Sequence, residues 1–174
     1  CLAGEHGDFL AIDPKIASTL YAADRFESKA VIEGWLAEGK TVVADRYASS
    51  NQIHQTAKLR NKREQRTFLS WLDTLEYEVF GIPRPDLVLF LHLSARENAR
   101  LLKDNYKKAG KEYLKGKKDQ AEEDLEHQDR ARKSALALIA ESNTMKKIEC
   151  VKNGGLLPPE EIHELVYDEV IKIL

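Results

Sequence analysis

Cysteine is scarce in this chain: Cys1 and Cys150 are the only two, and neither has metal-ligand spacing. A disulfide framework and a Cys-based metal centre are therefore excluded, and a reducing cytoplasm is the expected setting. No apolar run approaches the ~18 residues needed to cross a bilayer, so no membrane partner is expected. An excess of charge of one sign is missing too, with 27 Lys and Arg against 29 Asp and Glu. That balance gives no whole-protein signal for a nucleic-acid polymer. The basic run Lys58–Arg66 lacks interleaved aromatics and reads as a solvated loop. An initiator methionine is also absent, since the chain begins at Cys1 and its single Met is Met145. A partial sequence is the expectation, although processing would leave the same start. What is present is ordinary for a globular protein: 174 residues, 43% hydrophobic and 32% charged, enough for one domain, 1–174, with a sizeable core.

Apolar periodicity organises the chain as alternating helices and strands. Asp13-Pro14 opens a helix, with Asp as cap and Pro in the first turn. Ile16, Leu20, Ala23, Ala30, Val31 and Trp35 follow near helical spacing to Gly39, with a loosening at Phe26–Glu33. Thr41–Ala44 reads as a strand buried on both faces. Arg66–Phe80 is predicted helical, with Phe68, Leu69, Leu72, Leu75 and Val79 on one stripe. Leu87–Leu93 is a second strand, Ala95–Tyr106 begins a helix, and Asp119–Ser142 is a long one. Lys147–Lys152 is a third strand, followed by a turn at Asn153-Gly154-Gly155 and an amphipathic helix over Pro159–Leu174. Strands alternating with helices predict a parallel sheet with right-handed crossovers.

Chemistry concentrates where the first strand ends, at Asp45-Arg46-Tyr47. Ligands gather beyond the carboxyl ends of parallel strands. Asp45 suits Mg²⁺, or orientation of a phosphate, and Arg46 suits a phosphate held through two parallel hydrogen bonds. A solvated charged turn is the plain alternative, and Tyr47 is as readily a packed aromatic. Tyr21 and Arg25, four apart, share a helix face: a ring and a guanidinium for a base and an anion, or a half-buried Tyr beside a snorkelling Arg. Ser50, Asn51 and Gln52 form a polar run that either reads a base edge or starts a helix. Lys103–Lys118 carries seven lysines and two glycines, consistent with a mobile lid at about 103–122 or with a solvated face.

In this order, LYAADRFE, TVVADRY with ASSNQIHQ, PD-LVLFLHL and the Lys-rich run into DQAE resemble the thymidylate kinases, nucleoside monophosphate kinases of the P-loop superfamily. The resemblance runs from about Gly4 to the last residue. It implies a three-layer α/β P-loop kinase fold and transfer of a phosphoryl group from ATP to thymidine monophosphate with Mg²⁺, usually in a homodimer. It assigns Asp45 and Arg46 to the acceptor nucleotide and metal, and Tyr21 with Arg25 to the base or phosphate. It assigns Ser50, Asn51 and Gln52 to the pyrimidine edge, with His54 where relatives crowd the sugar 2′ position. Lys117 and Lys118 become lid residues at the reacting phosphates, Asp119 and Glu122 face the acceptor, and Asn153, Gly154 and Gly155 flank the adenine. Arg66–Phe80, with Trp71, is the candidate dimer stripe.

One departure is large. The only G-x-x-x-x-G-K-[ST] match, Gly34–Thr41, falls across the predicted helix end at Gly39 and the start of the Thr41 strand, not between a strand and a following helix where a phosphate loop must lie. The resemblance also implies two earlier strands, the first lying between the first two visible here. The expectation is a kinase body that is inactive by itself. A kinase for another deoxynucleotide or a deoxynucleoside, or a non-catalytic nucleotide-binding module, remain the alternatives.

Overall fold

A computed structural model of the chain describes residues 11–94, 96–98, 100–101 and 124–174. They fall into two compact units, one ending at Pro85 and the other beginning at Asp86.

In the first unit, α1 spans Pro14–Ala37. The Asp13 carboxylate accepts from the Lys15 and Ile16 N–H groups at 2.8 and 3.3 Å, satisfying two of the free donors of the first turn. At the other end Lys40 N–H donates to Trp35 O and Gly39 N–H to Leu36 O. With Gly39 at φ +75° this is a Schellman stop. The helix is continuous, so no break exists at Phe26–Glu33. Its buried residues are Ala17, Ser18 and Ala22, not the large apolar ones. Small side chains let α1 approach α2 (Ala48–Thr56), whose Ala48 is fully buried. Ile16, Leu20, Val31 and Trp35 are left exposed, contrary to the expected core stripe.

The predicted strand Thr41–Ala44 carries no ladder, and Val43 is 88% exposed. A strand exists only when a neighbour takes its backbone groups, and no described residue does so here.

Helix α3 (Lys62–Asp73) starts on an Asn61 cap and runs directly into a π-helical turn, Thr74–Val79. Phe68 and Leu72 are buried as expected, but Val79 is 68% exposed. The wider turn rotates the register, so the buried position four residues beyond Leu72 falls to Glu76.

The second unit holds β1 (Val88–His92) paired in parallel with β2 (Met145–Glu149), in register from Val88–Met145 to His92–Glu149. The crossover contains α4 (Leu125–Glu141), capped by the Asp124 carboxylate on His127 N–H at 2.8 Å. This parallel, helix-connected pair makes the architecture α/β. At the strand ends His92 Nδ1 meets Glu149 Oε1 at 2.8 Å. Residues 96–98 and 100–101 are helical, as expected for that region.

The expected strand Lys147–Lys152 is two elements. Cys150 leaves the ladder, its N–H donating to His92 O and its C=O accepting from Leu157. Val151–Lys152 (β3) then forms a hairpin with Gly155–Leu156 (β4). Its central residues, Asn153 and Gly154, have φ +54° and +77°, the geometry that an Asn-Gly pair favours in two-residue hairpins. Helix α5 (Pro159–Val170) is tied to β2 by the Lys146–Glu169 ion pair.

Candidate active site

The first unit brings two of the candidate residues onto one carboxylate. Glu76, 1% exposed, accepts from Arg25 through both of its oxygens: Nε reaches Oε2 at 3.0 Å and Nη2 reaches Oε1. Asn51 Nδ2 donates to the same Oε1 at 3.1 Å and to the Ser18 carbonyl at 3.2 Å. Three elements therefore meet on a buried acid: α1 through Arg25, α2 through Asn51, and the π-helical turn through Glu76 itself. A charge this deeply buried persists only when paired and hydrogen-bonded, as here. Tyr21 lies one turn before Arg25 on α1 and is half-buried.

Tyr47 belongs to this neighbourhood. Its hydroxyl donates to Pro83 O at 3.0 Å. Burial pushes its phenol above the usual range, with the Arg25 charge opposing and the Glu76 charge adding. Tyr77, next to Glu76, is pushed up to about 12, first by burial and then by the Glu76 charge. The Arg84 guanidinium lies 4.0 Å over the Tyr77 ring and pairs bidentately with Asp73 at 2.7 and 2.8 Å.

Asp45 and Arg46 are exposed, and Arg46 has φ +66°. For a side chain with a Cβ, that left-handed backbone is uncommon and costs about 1–2 kcal/mol, and such residues cluster at functional sites. Immediately after them α2 begins on Tyr47 with no side-chain cap, and the Ser50 N–H closes back on the Tyr47 carbonyl at 3.0 Å. Ser50, Gln52 and His54 are half-buried on α2, where the polar run is helix and not loop. Arg25, assigned with Tyr21 to the base or phosphate, has Nε and Nη2 engaged by Glu76; only Nη1 has no bond to a described residue.

Among the described residues no group of three or more His, Cys, Asp or Glu side chains is arranged for a metal. Mg²⁺ is ordinarily held by one or two carboxylates with phosphate oxygens and water, so the exposed Asp45 carboxylate fits as a lone protein ligand. Asn153, Gly154 and Gly155 are exposed at the hairpin of the second unit. Lys117, Lys118, Asp119 and Glu122 lie outside the described residues. A surface groove lined by Arg66, Thr67, Ser70, Trp71 and Thr74 contains none of the candidate nucleotide or metal residues and lies within the candidate dimer stripe.

Sequence reasoning missed Glu76. The signal was present: Phe68, Leu72 and residue 76 are spaced by four, and the third is an acid on an otherwise apolar stripe.

A parallel pair joined through helices, with an arginine–amide–carboxylate cluster on a helical unit, is of the α/β nucleotide-kinase type. The family model described as Thymidylate kinase matches residues 9–157, and the chain belongs to that family. Among curated proteins it is similar to the thymidylate kinases of Mycobacterium tuberculosis strains CDC 1551 / Oshkosh and ATCC 25618 / H37Rv. Each is 34% identical over 94 residues, covering 54% of this chain and 43% of the relative. The chain thus covers less than half of the length of these relatives.

Proposed function

We propose that this chain carries the acceptor side of an enzyme that phosphorylates thymidine monophosphate with ATP. An oxygen of the acceptor phosphate attacks the γ-phosphorus, the bond to the bridging β–γ oxygen breaks, and thymidine diphosphate and ADP form. Such transfers rest on positioning and charge stabilisation. Arg46 clamps the acceptor phosphate, Asp45 holds Mg²⁺ through its carboxylate, and Mg²⁺ when bound neutralises phosphate charge. Tyr21 stacks on the base, and Arg25 with Asn51 reads its edge, Ser50, Gln52 and His54 completing the surround. Lys117, Lys118, Asp119 and Glu122 act from the lid, and Asn153–Gly155 borders the adenine. A cytoplasmic homodimer joined along the α3 stripe with Trp71 completes the reading. The Gly34–Thr41 match to G-x-x-x-x-G-K-[ST] spans the end of α1 and does not lead from a strand into a helix, so turnover by this chain alone is expected to be undetectable.

The observation that supports the reading is the strained Arg46 at an uncapped helix start, in the same unit as the Arg25–Glu76–Asn51 cluster. Calorimetric titration of the 174-residue chain with thymidine and its monophosphate tests it. The monophosphate is expected to bind more tightly, and Arg46→Met to remove at least about tenfold of that advantage. Equal binding of the two ligands, or an unchanged advantage in the variant, refutes it.

A further inference from the structure

Asn and Gln amides usually leave their orientation open, because either end can face a mixed donor–acceptor environment. Asn51 is an exception. Both partners of its Nδ2 are acceptors only: the Ser18 carbonyl and the Glu76 carboxylate. The amide nitrogen must therefore face inward, and Oδ1 is left as an acceptor with no bond to a described residue. Arg25 is fixed by the same acid, since Glu76 takes Nε and Nη2 and leaves the Nη1 donors unbonded. Oε1 of Glu76 receives both Asn51 Nδ2 and Arg25 Nη2, so the two side chains are adjacent.

From this geometry we propose that Glu76 is a positioning residue that sets base specificity. By turning Asn51 and Arg25 to one polarity, it presents an acceptor beside a donor. That pair complements the edge of a keto pyrimidine, where an N–H adjoins a C=O. It mismatches an amino pyrimidine, where a bare ring nitrogen adjoins an NH₂. The inference rests on the acceptor-site reading above and adds to it the residue that makes the site directional.

The test is calorimetric binding to the full chain of the monophosphates of thymidine, deoxycytidine and N3-methylthymidine. Wild type is expected to bind the first at least about tenfold more tightly than the other two, since a buried polar group left facing its like is strongly penalised. Glu76→Gln introduces a donor beside Asn51 and lets the amide turn over. The preference for thymidine over deoxycytidine monophosphate is expected to shrink by about tenfold or more. A merely structural role would weaken both ligands by the same factor and leave their ratio unchanged. Should the Gln variant fail to melt cooperatively, Glu76→Asp, which keeps the charge but not the reach to Asn51, is read the same way.

No binding of thymidine monophosphate by wild type sinks both the acceptor-site reading and this inference. Binding without discrimination sinks the polarity argument and leaves the acceptor site standing. Discrimination that persists in the position-76 variant removes Glu76 from the role. A collapsed ratio supports it.

Discussion

Removing Arg25 would strand a carboxylate in the interior of the first unit. Glu76 is 1% exposed and takes two Arg25 N–H groups, one on each oxygen. After Arg25→Ala its remaining partner is Asn51, at 3.1 Å on Oε1 alone. Breaking a buried pair from one side typically costs about 3–5 kcal/mol, because the survivor keeps its desolvation penalty without compensation. Set against a total stability of about 5–15 kcal/mol, that is a large fraction. For a unit of this size it lowers the melting temperature by at least about 12 °C. The chain's two tryptophans, Trp35 and Trp71, both lie in this unit, so urea unfolding followed by their fluorescence reports on it selectively. The double variant Arg25→Met/Glu76→Leu removes both charges and keeps the volume. It should recover to within about 1–2 kcal/mol of wild type, the residue being the bond Asn51 loses. A loss below about 1 kcal/mol in the single variant would refute the reasoning. So would a double variant as unstable as the sum of its parts.

Three further outcomes follow from the same geometry. Leu72 is fully buried beside Phe68, so Leu72→Ala should destabilise the unit by about 2–5 kcal/mol in the same urea assay. Tyr77 titrates at about 12 in the folded chain, against about 10 unfolded. The unfolded state therefore loses its proton first, and stability should fall by about 2–3 kcal/mol as pH rises across that interval. Tyr77→Phe should flatten this alkaline limb, and an unchanged limb would remove Tyr77 as its cause. The Arg84 hydrogen bonds hold the Asp73 carboxyl below its usual range. Its contribution is present above the unfolded value near 4 and is lost as pH falls through the lower folded one. Because the pair is solvent-exposed, Asp73→Asn should cost no more than about 1 kcal/mol at neutral pH, and progressively less as pH falls through the lowered folded-state value.

Much of the helix pattern was legible because its determinants are local. Asp13-Pro14 and Gly39 bound α1 through caps that involve only their neighbours, and the Phe68–Leu72 spacing marks α3. Thr41–Ala44 was misread because a strand is a property of two segments, and β propensity in TVVA says nothing about a neighbour. The α1 stripe misled for a related reason: the contact with α2 is made by alanine and serine, which a hydrophobicity count barely registers. Val79 was displaced by a π-helical turn that 3.6-residue periodicity does not anticipate. In the site, Arg25 and Asn51 were readable as polar side chains in a suggestive order. That they share one acid could not be read, since Glu76 lies 51 residues from one and 25 from the other.

The left-handed backbone at Arg46 makes mutagenesis there ambiguous in an instructive way. Glycine accepts that conformation freely, so Arg46→Gly should yield a chain that is sturdier yet weaker at holding an anion. Alanine keeps the conformational penalty while discarding the guanidinium, and would report the charge alone. Comparing the two substitutions separates what the side chain does from what its awkward placement withholds from the fold.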